Sequence, residues 1–258
     1  MTQIILKDLC LDYIVQTGSH SLKQSLFQAV KRPLSRHNPA PAARIKNSHY
    51  RALNQINLTL NTGDKIGILG RNGAGKSTLL KVLAKIYTPT QGTATVTGNI
   101  SSLFDLHLGM NPEATGFENI VNLGVMRGLT MRAARDLFED IAAFTELGDF
   151  LDQPVRTYSA GMTMKLAFAV ATAQAADIML IDEVIGVGDA HFMEKATQRL
   201  SSRLAQSDIL VLTSHTNETL QRFCTHGVIL DQGHNVFFGP IEEAIARYQQ
   251  IKPPQQPR

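Results

Sequence analysis

The stretch KIGILGRNGAGKST, Lys65 to Thr78, decides the fold. Residues 65–70 form a short apolar run ending in glycine, the pattern of a buried strand. Gly70 to Thr78 then fits G-x-x-x-x-G-K-[ST]. Residues 77–87 follow with apolar side chains at 79, 80, 82, 83 and 86, one face of a helix. Strand, glycine-rich turn and helix in that order make a cradle for an anion. Glycines let successive backbone N–H groups turn toward one oxyanion, and a helix N-terminus adds partial positive charge. Gly70, Asn72, Gly73, Ala74, Gly75, Lys76, Ser77 and Thr78 therefore read as a polyphosphate site. Lys76 reaches the outer phosphates and Ser77 can ligate Mg2+.

A second stretch supplies the chemistry such a loop needs. In DIMLIDE, residues 177–183, four apolar residues make a buried strand that ends in Asp182 and Glu183. A carboxylate at a strand end beside a phosphate loop can hold the hydration shell of Mg2+, which assigns Asp182. The next carboxylate, Glu183, can orient or deprotonate an attacking water. His215, in LVLTSHTNE, follows another buried strand. If that strand neighbours the one ending in Asp182, His215 faces the same edge, where ligands of such sheets bind, and can contact a γ-phosphate.

The bulk numbers set bounds. A chain of 258 residues that is 43% hydrophobic and 18% charged has ample material for a core, in one large or two small domains. A net charge of +3 does not by itself imply a polyanionic partner. Cys10 and Cys224 stand far apart, and a lone His226 near Cys224 makes no ligand cluster, so neither a disulfide framework nor a zinc pattern is present. The opening MTQIILKDLCLDY turns polar too early for a signal peptide. No uncharged apolar run reaches the roughly 18 residues of a membrane helix.

Strand patterns at 3–13, 54–62, 65–70, TATVTG, 177–182 and 208–214 alternate with helical stretches, and GVILDQGHNVFFG reads as a hairpin before a final helix begun by Pro240. This is an α/β chain. A helical insertion spans about residues 105–160, with residues 116–150 helical almost throughout and 166–175 a buried helix. From Tyr13 to Gly63 there is no Asp or Glu, while Lys23, Lys31, Arg32, Arg36, Arg44, Lys46 and Arg51 fall inside that span. Residues 14–52 thus read as a basic insertion with a short helix bearing Leu22, Leu26 and Val30. The tail KPPQQPR, after about residue 250, reads as disordered.

The phosphate loop, YSAGM (158–162), LIDE, GVGD and TSHT, in this order and spacing, resemble an ABC transporter ATPase subunit over nearly the whole chain. The resemblance implies a P-loop NTPase fold of the ABC ATPase type: a mainly parallel core sheet, an antiparallel β subdomain and a helical subdomain within one domain, residues 1–250. It implies ATP with Mg2+. It also implies a head-to-tail homodimer in which Ser159 and the N–H of Gly161 bind the γ-phosphate of ATP held by the other chain, Asp189 organising the interface. YSAGM, DEVIGVGDAHF and NPEATGFENI look like the branch that exports O-antigen, capsule and teichoic acid. On that likeness the partners are a transmembrane permease subunit and a lipid-linked polysaccharide, with no nucleic acid. The location is the cytoplasmic face of the bacterial inner membrane, held peripherally.

Ala160 and Met162 depart from the family's signature but leave its serine and second glycine. The family's Q-loop glutamine is missing; Asp105, Leu106 or His107 stands near its place, and Asp105 could ligate metal through water. Family position favours Tyr13 as the surface on which adenine stacks, with Tyr50 the competitor. The chain's end at 258 leads to the expectation that glycan selection by an appended carbohydrate-binding domain is not available. The basic insertion is expected near the membrane, attracting headgroups or a lipid pyrophosphate. The runner-up is a cassette for a lipid or drug. A non-transport cassette acting on DNA or ribosomes commonly carries two cassettes or a long coiled-coil insertion, neither seen in this sequence, and the signature and GVGD argue against a P-loop kinase.

Overall fold

The structure is a computed structural model describing residues 1–17, 46–104, 106–182, 190–214 and 216–251. The strands are β1 Gln3–Thr17, β2 Lys46–Asn61, β3 Lys65–Gly70, β4 Gln91–Thr97, β5 Ile100–Ser102, β6 Ile178–Asp182, β7 Ile209–Thr213, β8 His226–Asp231 and β9 His234–Pro240. The helices are α1 Lys76–Leu83, α2 Gly116–Met126, α3 Met131–Asp136, α4 Phe138–Thr145, α5 Ala160–Thr172, α6 Ala190–Gln206, α7 Asn217–Phe223 and α8 Ile241–Gln250.

The apolar runs at 65–70, 178–182 and 209–213 lie side by side in a six-stranded sheet of order β5-β6-β7-β3-β8-β9. Every pairing in it is parallel except β8 with β9. These strands are covered on both faces, which is why they read as continuous rather than alternating hydrophobic stretches. A second sheet, β2-β1-β4, is antiparallel throughout. Its inner face, with Ile4, Leu6, Leu9, Leu53, Ile56 and Leu60, packs with α1 against one side of the parallel sheet. The other side of that sheet is covered by Phe192 and Ala196 of α6, Leu220 of α7 and Ile241 of α8. The expected α/β architecture, with its antiparallel β and helical parts, is what the chain adopts.

Helix α5 explains its nearly all-apolar sequence. Ala167, Phe168 and Ala171 pack into the sheet core, while Leu166, Ala169 and Val170 pack into a third core with Ile120, Leu123 and Ile141 of α2 and α4. One helix thus joins the sheet to the helical part.

Three strands differ from the sequence pattern. β1 continues to Thr17 and β2 starts at Lys46, with Tyr13 opposite Tyr50 and Thr17 opposite Lys46. The outer rungs set Ile14 opposite His49 and Val15 opposite Ser48, beside tyrosine and polar pairs, so no clean alternation announces them. The three-residue β5, Ile-Ser-Ser, is equally silent; its pairing with β6 holds it. Expectations that lie outside the described residues are the central basic insertion with Leu22, Leu26 and Val30, the tail after Ile251, and Asp105, Glu183, Asp189 and His215.

Candidate nucleotide site

The phosphate loop hangs between β3 and α1 at the carboxyl edge of the parallel sheet. Gly75 is the N-cap of α1 with φ 106°, in the left-handed region that side-chain-bearing residues avoid. A Cβ there would stand 2.8 Å from the Ala52 carbonyl oxygen and 2.9 Å from Leu53 Cδ2. Glycine is thus required twice over, by conformation and by the close passage of β2. The turn between β8 and β9 braces the loop from behind: Gly233 N–H donates to the Ala74 carbonyl at 3.0 Å, and Asn54 N–H to the Gly233 carbonyl at 2.8 Å. Lys76 Nζ donates to the carbonyls of Gly70 at 2.6 Å and Arg71 at 3.1 Å. The ammonium is therefore already over the loop it would serve.

A cleft of about 420 Å3 opens in front of the loop. Its lining joins Asn72, Gly73, Gly75, Lys76, Ser77 and Thr78 to Asp182, Thr213 and Ser214, with Tyr13 and Tyr50 as aromatic walls. β7 lies between β3 and β6, so the ends of three neighbouring strands bring the loop, Asp182 and the Thr213–Ser214 pair together. Lysine, backbone amides and a helix N-terminus suit a polyphosphate. The oxygen donors of Ser77 and Asp182, facing one cleft, suit a hard cation such as Mg2+.

The two tyrosines differ. Tyr13 meets Tyr87 edge-on, with centroids 5.8 Å apart, and its hydroxyl lies 3.1 Å from Thr78 Oγ1. Tyr50 across the strand is 54% exposed and borders the clefts on both sides of the loop. Beside them Arg51 pairs with Asp12 at 2.8 Å, and this hydrogen-bonded guanidinium holds the Asp12 carboxyl below its usual range.

Ser159 and Gly161 stand apart, at the head of α5, and do not line that cleft. Ser159 is the N-cap, its Oγ accepting from Met162 N–H at 3.2 Å. A Cβ on Gly161 would approach only Ser159 Oγ, at 3.9 Å, so the turn is open. The segment before it is firmly held. Tyr158 donates its hydroxyl to the Phe150 carbonyl at 2.6 Å, and burial pushes that phenol up to about 12. Val155 and Arg156 N–H donate to the carbonyls of Ala114 and Pro112, and Arg156 meets Glu113 at 3.0 Å. On the other side Thr115 and Glu118 form a capping box on α2. Asn119, fully buried, ties Asn111, Ala114 and Thr115 together. The stretch NPEATGFENI is thus the clamp that sets the Ser159 turn.

Sequence reasoning missed Ser214 and Thr213 in the cleft. The signal was present in DILVLTS, a buried run that ends in two hydroxyls.

The family model described as ABC transporter matches residues 53–186, more than half of the chain. An O-antigen export system ATP-binding protein from Yersinia enterocolitica is 40% identical over 243 residues, covering 92% of this chain and 100% of the relative. One from Myxococcus xanthus is 45% identical over 199 residues, 77% of this chain but 46% of that longer protein. A teichoic acids export ATP-binding protein from Shouchella clausii is 35% identical and is matched over 58% of its length. Among solved structures, a dimeric post-hydrolysis state of an ATP-binding cassette bound to ADP and Pi superposes with a TM-score of 0.64 at 20% identity, covering 92% of this chain and 98% of that one. That likeness is one of fold.

Proposed function

The chain belongs to the ABC transporter family of ATP-binding cassettes, and from that premise we propose that it is the ATP-hydrolysing subunit of an exporter of lipid-linked surface polysaccharide. The observation that carries the reading is the cleft joining Lys76, Ser77 and Asp182, in a chain that matches the full length of a relative named for O-antigen export.

Lys76 and the loop amides hold the β- and γ-phosphates. Ser77 and Asp182 would hold Mg2+, which when bound would neutralise phosphate charge. Asp105 would be a further ligand of that cation. Glu183 orients the attacking water; its oxygen bonds to the γ-phosphorus as the bond to the β–γ bridging oxygen breaks and ADP departs with the electron pair. His215 steadies the γ-phosphate. The exposed ring of Tyr50 offers the base a stacking face, and Tyr13 supports it from the next strand. Ser159 and Gly161 serve ATP held on a second copy, across a two-fold interface that Asp189 helps organise. Such a subunit works on a transmembrane permease at the cytoplasmic face of the inner membrane. Among the described residues no helix is long and apolar enough to cross a membrane.

Purifying the tagged chain from detergent-solubilised membranes tests the assignment. A multi-span protein and a lipid-linked glycan should come with it. Recovery with ribosomes or DNA contradicts the reading, and recovery with a permease that carries a lipid or drug corrects the substrate.

A further inference from the structure

We propose that Thr213 is a positioning residue, holding the Asp182 carboxylate in the orientation in which it serves the divalent cation of the nucleotide site. The inference rests on the reading of Asp182 given above. β7 is the strand between the phosphate-loop strand and the Asp182 strand, and its last residue, Thr213, sits in register with Ile68 on one side and Asp182 on the other.

The run Ile-Leu-Val-Leu before it is entirely buried, and Thr213 is itself 2% exposed. Valine has the same shape and would continue such a run without a polar atom to satisfy. A hydroxyl in that place needs a partner, since a buried polar group left unpaired costs about 1–3 kcal/mol. Its Oγ1 donates to Asp182 Oδ1.

Geometry makes that bond an orienting one. A carboxylate rotates about a broad, roughly two-fold torsion, so Asp182 alone does not choose a direction. Threonine is stiff at χ1, and Thr213 is fixed by the central strand of the sheet. Its hydroxyl selects one rotation of the carboxylate and occupies one oxygen, leaving the other with a defined aim into the cleft that Ser77 also lines. Partners that orient ligating carboxylates in this way are worth about 10–100-fold in metal affinity or activity.

The test uses the full chain with a non-hydrolysable ATP analogue and Mn2+ as a spectroscopically visible substitute for Mg2+. Two constants are measured: Mn2+ affinity for the protein–nucleotide complex by electron paramagnetic resonance, and nucleotide affinity in EDTA. T213V is expected to weaken Mn2+ binding about tenfold while leaving metal-free nucleotide binding unchanged, and T213S to restore native Mn2+ binding. Should T213V fail to fold, T213A is measured against T213S in the same way. Native Mn2+ affinity in the hydroxyl-free variant overturns the inference. So does a T213S variant as weak as T213V, or an equal loss in EDTA, which marks a merely structural role. D182N separates the two levels: a loss in D182N without one in T213V defeats only the role of Thr213. Native Mn2+ affinity in D182N defeats the assignment of Asp182 as well.

Discussion

Two helix N-termini carry the anion chemistry of the proposed mechanism, and they are built in opposite ways. The head of α1 is wrapped by its own chain: Gly75 is pressed by β2, the β8–β9 turn braces the loop, and Lys76 lies over it. The head of α5 is capped by Ser159, supported from below by Tyr158 and the Asn119 cluster, and open in front at Gly161. The first is a cleft with walls. The second offers a hydroxyl and helix-end amides with no walls, which is the form of half a site. On the proposed reading, the difference marks where a ligand's remaining contacts come from: this chain for the α1 end, a second copy for the α5 end.

Substitutions can break that contrast. The largest effect is expected from Lys76→Ala, which removes the charged donor of the walled site; ATP turnover should fall about 10²–10³-fold, read by phosphate release. Next is the glycine pair. Gly75→Ala should cost about 1–3 kcal/mol of stability, because it forces a side chain into left-handed backbone against Ala52. Gly161→Ala should hold or raise stability by about 0.5–1 kcal/mol, as alanine in a helix usually does, yet lower ATPase activity where a second copy's phosphate packs. Denaturant midpoints beside ATPase rates check both. A Gly161→Ala protein with native turnover would remove the argument for a shared site.

A smaller effect separates the aromatic walls. Tyr50→Ala should weaken ATP binding by about 1–3 kcal/mol, the worth of a base–aromatic stack, measured by titration calorimetry. Tyr13→Phe loses only its hydroxyl's contact with Thr78, about 1 kcal/mol. The smallest effect is a pH dependence beneath the α5 turn. The folded chain holds Tyr158 protonated up to about 12, whereas an unfolded tyrosine ionises near about 10. The folded state therefore binds the proton more tightly. The stability this gives is fully present below pH about 10 and is lost as pH rises from there toward the folded value. Tyr158→Phe should flatten that alkaline decline in thermal melts.

Much of the walled site was legible because its physics is local. Glycines, lysine and hydroxyl stand within nine consecutive residues, and buried strands announce themselves by apolar runs. What was hidden depends on register. Tyr13 stands opposite Tyr50 only because β1 and β2 go on pairing beyond the stretch whose alternation marks them as strands. Thr213 meets Asp182 only because β7 lies beside β6 with those two residues level. The role of Asn119, likewise, is to bind a loop that no helical periodicity describes.

The shared site is the central claim, and mixing two damaged chains tests it most directly. Lys76→Ala chains keep a sound α5 turn, and Ser159→Arg chains keep a sound phosphate loop. Each alone should be nearly inactive. A mixed dimer contains one site with both parts intact and one with both parts damaged. Random mixing in equal amounts makes half the dimers mixed, so turnover should recover to about a quarter of native under two-fold association. A mixture no more active than the sum of its separate components would contradict the account.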